Sequence, residues 1–168
     1  NVYYISQYIE RRVLKHAIHG AVICCRQNKK KSSGNPWLMM LSTHSAIAAS
    51  VDGMQFYGNS YRETGIPEGL QAKYLTGEYA GELSVLALQE RPFKILPRHS
   101  HHSQFTATYL SNHPTATSVQ DLENIPLLLK EFAKKDLINH LKTNYFAKNK
   151  ISNKPQYFRV EELTNDEL

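Results

Sequence analysis

The chain has 168 residues, 41% of them hydrophobic and 21% charged, a balance that fits one globular domain and excludes wholesale disorder. Twenty Lys and Arg against fifteen Asp and Glu leave a net charge of +5, which favours an anionic partner. No apolar run reaches the roughly 18 residues a membrane helix needs. No fixed period recurs, and two cysteines cannot frame a disulfide scaffold.

In chain order, Tyr4, Ile5, Tyr8, Ile9, Val13, Leu14 and Ala17 fall at helical spacing and predict an amphipathic helix over 3–17, ended by Gly20. Two apolar runs of strand length follow, Ala21–Cys25 and Trp37–Leu41. The polar, basic stretch 28–36 would join them as a hairpin loop. Ala46–Ala49 reads as a short helix capped by Ser42 or Thr43. Residues 52–81 are rich in Gly and Tyr and read as irregular structure. Residues 82–88 and 93–96 read as strands around the Glu90-Arg91-Pro92 turn, and 104–110 as an edge strand. Ser118 with Asp121, or Thr117 with Gln120, makes a capping-box start. An apolar stripe from Ile125 to Tyr145 then predicts helix, and 156–160 a last strand.

The expected fold class is therefore α/β in the α+β sense: an N-terminal helix, a small mixed or antiparallel sheet of about four to six strands, and a helical C-terminal third. Residues 1–168 would form one domain. Its helix-plus-sheet core would span 1–115, a helical packing segment 116–147 and a tail 148–168. Glu10, Arg11 and Arg12 interrupt any signal-peptide core, and adjacent Cys24 and Cys25 read as two thiols on opposite faces of a strand. Both features fit a reducing, cytoplasmic compartment, or a host cytosol for an effector. A thiolate nucleophile served by His16 or His19 is the alternative for the cysteines.

The charge is segregated. Residues 1–31 carry seven cations against one anion, and residues 125–159 eight against two. If the two zones meet in space, their face would steer a polyanion, with Arg26, Lys29, Lys30, Lys31, Arg98 and Lys134 as anion-binding candidates. Solubilising helix faces explain the same lysines without any partner.

His99, His101 and His102, beside Arg98 and Ser103, form the densest titratable group, and His44 lies in Ser42-Thr43-His44-Ser45 at a strand end. These four histidines are the candidate acid–base residues of a metal-independent, ribonuclease-type reaction. Two same-face imidazoles would supply only half of a metal site, and no metal or cofactor is assigned. Tyr57, Tyr61 and Tyr74 are candidate partner-binding residues, since Tyr offers contact area and a hydrogen bond at low entropic cost.

Leu41-Ser42-Thr43-His44, and Glu82-Leu83-Ser84-Val85-Leu86 with Phe93-Lys94-Ile95, resemble the middle and last motifs of toxin-type ADP-ribosyltransferases. Ser84 stands where that family has its catalytic Glu, and Arg26 lies close to Ser42 for the family's early Arg. The resemblance implies a NAD-pocket fold of impaired activity. Three functional classes thus stand: a basic nucleic-acid-binding domain, foremost for RNA; a protein-interaction domain that docks on an acidic surface without catalysis; and a degenerate transferase or toxin.

Overall fold

In the computed structural model, described over residues 8–78, 83–130 and 133, the chain is organised by one six-stranded sheet. Its strands are β1 (Ile9–His16), β2 (Gly20–Gln27), β3 (Trp37–Ser42), β4 (Ala46–Asp52), β5 (Ser84–Glu90) and β6 (Phe105–Leu110). Between β4 and β5 lie two short helices, α1 (Gly53–Tyr57) and α2 (Tyr61–Thr64), and a 3-10 turn (Glu68–Leu70). A 3-10 helix (Val119–Asn124) follows β6. The chain divides into the units Asn1–Ala133 and Lys134–Leu168, and the described residues belong to the first.

This architecture corrects the expected fold class. The N-terminal helix is absent: Ile9–His16 is a strand, paired residue for residue with β2 from Ile9↔Gln27 to His16↔Gly20. The apolar residues of this stretch suit a strand with both faces packed, Leu14 on one and Val13 on the other, as well as a helix, and β2 decides between them with a long antiparallel ladder. The expected helix at Ala46–Ala49 is likewise the start of β4. Residues 93–96 hold no strand, and 52–81, expected to be irregular, holds α1, α2 and the 3-10 turn. No helical C-terminal third appears among the described residues, where helical structure after β6 is limited to Val119–Asn124 and a helical run at 125–130. The expected tail and the strand at 156–160 fall outside the described residues.

Other expectations hold. The β2–β3 hairpin forms with its long basic loop, and β6 pairs with β3 from Trp37↔Leu110 to Ser42↔Phe105 as an edge strand. Ser118 and Asp121 close a capping box, with the Ser118 N–H donating to Asp121 Oδ2 at 2.8 Å.

Directly opposed residues share a sheet face. One face carries Leu14, Val22, Leu41 and Thr106 in one row and Arg12, Cys24, Met39 and Thr108 in the next. Ile125 and Leu128 cap this face, with Leu122 and Leu129 beside them. Trp37 seals its far end, stacked on His113 at 4.9 Å and donating to Thr117 Oγ1 at 3.2 Å. The second face carries Val13, Ile23, Met40 and Ala107, then Arg11, Cys25, Leu38 and Tyr109.

The β4–β5 pair curls over the β1–β2 half of that second face, packing Ala46, Ala49, Val51 and Leu88 on Val13, Ala21 and Ile23. Register shifts within β4–β5 sharpen the curl. β2 is thus covered on both sides, which explains its unbroken apolar run. Gly20 makes the crossing possible. Its φ is +67°, and a Cβ there would lie 2.0 Å from the carbonyl oxygen of Ala46.

Candidate functional site

Three chain segments meet at one end of the sheet. β3 finishes at Ser42, β5 finishes at Glu90, and segment 91–104 returns to begin β6. Thr43 ties the first to the third, its N–H donating to the Gln104 carbonyl at 2.9 Å and its hydroxyl to the same oxygen at 3.2 Å.

Glu90 is the hub. One carboxylate oxygen accepts a very short hydrogen bond from the Ser42 hydroxyl, and the other accepts from Ser103 Oγ at 2.7 Å. The Ser42 oxygen in turn accepts the His44 N–H at 3.0 Å. His44 Nδ1 lies 3.8 Å from Glu90 Oε1; the His44 side chain is 57% exposed and that of Glu90 10%. The His44 and His101 rings are 6.0 Å apart, and His101 stacks on Phe93 at 3.6 Å. Burial pushes the Glu90 carboxyl upward, but the Ser42 and Ser103 hydroxyls, with His44 and His101 nearby, outweigh it and hold the group below its ordinary value.

Of the candidate acid–base residues, the fold therefore gathers His44 and His101. His99 turns its Nδ1 onto the Pro97 carbonyl, 3.1 Å away in its own loop, and His102 is exposed on the same segment. Glu90 and Phe93 were absent from the sequence-based candidates, and Ser103 was noted only as a neighbour. Nothing local marks Glu90, which reaches Ser42 only because β5 lies across the sheet from β3. Chemically, the cluster fixes an anion. A carboxylate that already accepts two hydroxyl protons and is stabilised as the anion is a weak base. Ser42 is fully buried and gives its hydrogen to a carboxylate, whereas a nucleophilic serine gives it to an imidazole.

The anion-binding candidates disperse. Arg26 is buried and spends its guanidinium on the His113 carbonyl at 2.7 Å, the Pro114 carbonyl at 2.9 Å and Asn28 Oδ1 at 2.8 Å. Lys29, Lys30 and Lys31 are exposed on the loop at the Trp37 end of β3. Arg98 is exposed on segment 91–104 at the Ser42 end, with φ at +64°. The six residues of β3 separate the two groups by about 17–20 Å. Lys134 lies outside the described residues. Tyr57 packs on Tyr61 at 4.7 Å, and Tyr74 is exposed elsewhere, beside the β1–β4 cleft.

Cys24 and Cys25 do point to opposite faces. Burial raises both thiols, Cys24 to about 12 with Asp121 adding to the effect, and Cys25 to about 11 against the opposing pull of Arg11. Neither is a thiolate at neutral pH, and His19 points its Nδ1 at the Ser42 carbonyl, 3.1 Å away. The residues of the transferase-like motifs serve the sheet: Ser84 accepts from Arg11 at 2.7 Å, and Ser42 holds Glu90.

Together these features define a small curled-sheet domain with a fixed polar knot at one end. Over residues 1–106 the chain matches the family described as the SOGP N-terminal domain. It belongs to that family, and the matched span runs from the N-terminus through β5 to the start of β6. No curated protein matches the chain.

Proposed function

We infer that the domain is an interaction module without chemistry of its own, and that it docks a protein surface along β6 and the open half of the second sheet face. The observation that carries this reading is a half-face that no other described element covers. β4 and β5 cover the β1–β2 half and reach Met40 of β3, while Phe105, 48% exposed, and Tyr109, 61% exposed, stand out from β6 beside Ala107 and half-buried Leu38. Phe93, Ile95 and Leu96 are further exposed apolar side chains, on the segment that leads into β6. Exposed apolar side chains on an edge strand are what a partner covers, by side-chain burial and by adding hydrogen bonds to an outer backbone edge that pairs with no described strand. The family's description as an N-terminal domain supports polypeptide beyond the matched span as that partner.

Hydrogen exchange tests this. In the longer polypeptide the β6 amides should be protected relative to the domain alone, and Phe105→Asp with Tyr109→Asp should remove that protection. Equal exchange in both forms, with or without the substitutions, would discard the reading.

A nucleic-acid role has one observation in its favour, the three consecutive exposed lysines Lys29, Lys30 and Lys31. It predicts RNA binding that weakens steeply between 50 and 200 mM salt, as counterion release requires, and that is lost when the three are replaced by Ala.

A further inference from the structure

The polar knot at Glu90 has a neighbour of different character. Where β4 crosses β1 and β2, a cleft of about 630 Å³ opens, within the size range of small-molecule sites. Its floor is apolar and made of small residues, among them Ala21, Ala46 and Ala49, with Val13 and Leu75 at the sides. Its rim carries Lys15, His16, Arg91, Tyr74 and Glu78.

The charge on this rim is unbalanced. Glu78 is engaged, accepting the Val13 N–H at 3.0 Å and lying 3.9 Å from Arg12 Nε. Lys15 and Arg91 make no hydrogen bond or ion pair among the described residues. They come from distant parts of the chain, Lys15 opposite Ala21 on β1 and Arg91 directly after β5. His16 adds a donor. Its Nδ1 accepts the His19 N–H at 3.2 Å, which in the neutral ring leaves the hydrogen on Nε2. Tyr74 presents an exposed aromatic ring at the mouth.

We propose that this cleft is a binding site for a small amphiphilic organic anion, an aromatic or short-chain carboxylate. The apolar body rests on the alanine floor and against Tyr74, and the carboxylate meets Lys15 and Arg91. Two cations with no partner among the described residues, over an apolar, concave floor, match this class. A neutral apolar ligand would leave both charges unanswered, and a bare inorganic anion would leave the floor wet. The site is independent of the docking face, since Lys15, Arg91 and Tyr74 are not among its residues.

Naphthalene-1-carboxylate is the probe, titrated calorimetrically into the 168-residue chain with naphthalene-1-methanol as the neutral control. The carboxylate should bind at least about tenfold more tightly than the alcohol, and Lys15→Ala and Arg91→Ala should each weaken it about three- to tenfold. Ala48 also lines the cleft, and Ala48→Phe, which adds a ring there and leaves both charges in place, should abolish binding. Arg91→Glu, on an exposed residue with no hydrogen bond or ion pair among the described residues, should weaken the carboxylate more than Arg91→Ala does and leave the alcohol unchanged. Equal affinity for acid and alcohol, binding that survives Ala48→Phe in a folded variant, or indifference to Arg91→Glu would each overturn the proposal. So would inorganic sulfate competing as strongly as the aromatic acid, because it would reduce the site to surface charge.

Discussion

At Glu90 one carboxylate joins the end of β3 to the segment that leads into β6, through Ser42, Ser103 and the exposed ring of His44. Because the carboxyl is held below its ordinary value, it stabilises the fold above the unfolded-state value of about 4.3. That contribution fades as pH falls through the lower folded-state value. Glu90→Gln keeps the shape but not the charge. It should cost about 1–2 kcal/mol at pH 7 by urea denaturation, and it should flatten the loss of stability between pH 5 and 3. An unchanged acid limb would show that the hydroxyl bonds are worth no more to the anion than to an amide.

The two thiols allow a second check at this scale. With both pushed to about 11 or above, neither Cys25 nor Cys24 should react with iodoacetamide at pH 7.5 until the domain unfolds. Rapid native labelling of Cys25 would contradict the packing of β2 against β4. Gly20→Ala should destabilise by more than about 2 kcal/mol in thermal unfolding, since both the left-handed backbone and the contact with Ala46 exclude a side chain.

Among the elements, β2 is the strand on which the domain is assembled. It pairs with β1 and β3 along its length and meets β4 through Gly20↔Ala46, and both core clusters draw on it. The segment after β6 contributes the other cover. Ile125 and Leu128 are nearly fully buried against Leu14, Val22 and Met39. Leu128→Ala should therefore cost about 2–4 kcal/mol by denaturant titration, as a large-to-small change in a packed core does. A cost below 1 kcal/mol would mean that this segment is not a structural part of the sheet domain, even though it lies beyond the span matched by the family.

Across the whole molecule, the decisive fact is how the ends of the strands are furnished. The lysine loop sits at one end of β3, and Glu90, His44, His101 and Arg98 sit at the other. Lys29, Lys30 and Lys31 therefore do not share a face with Arg98, and the apolar half-face is the surface proposed for docking. That surface carries a solubility consequence. Tyr109→Lys, which charges the exposed edge, should reduce self-association of the isolated domain in concentration-dependent light scattering, with the melting temperature unchanged within about 2 °C. A large fall in melting temperature would mean that Tyr109 packs as core.

Part of this was written in the residues themselves. The apolar runs of β2 and β3, the basic hairpin loop, the alternation of β6 and the Ser118–Asp121 cap are local patterns whose meaning does not depend on distant partners. The placement of Cys24 and Cys25 on opposite faces follows from strand geometry alone. Whether residues 9–16 and 46–52 were helix or strand could not be decided locally, because Ile9, Val13 and Leu14 or Ala46 to Ala49 suit either until a neighbouring strand offers hydrogen bonds. The site divided in the same way. His44 and the histidine group were visible as chemistry, but their junction through Glu90 was not, since forty-eight residues separate it from Ser42 and only the ladder order β5-β4-β2-β3-β6 brings them together. Residue type and period are properties of the chain, whereas proximity belongs to the sheet. The fate of the charges, scattered to opposite ends of the strands, was settled by non-local pairing alone.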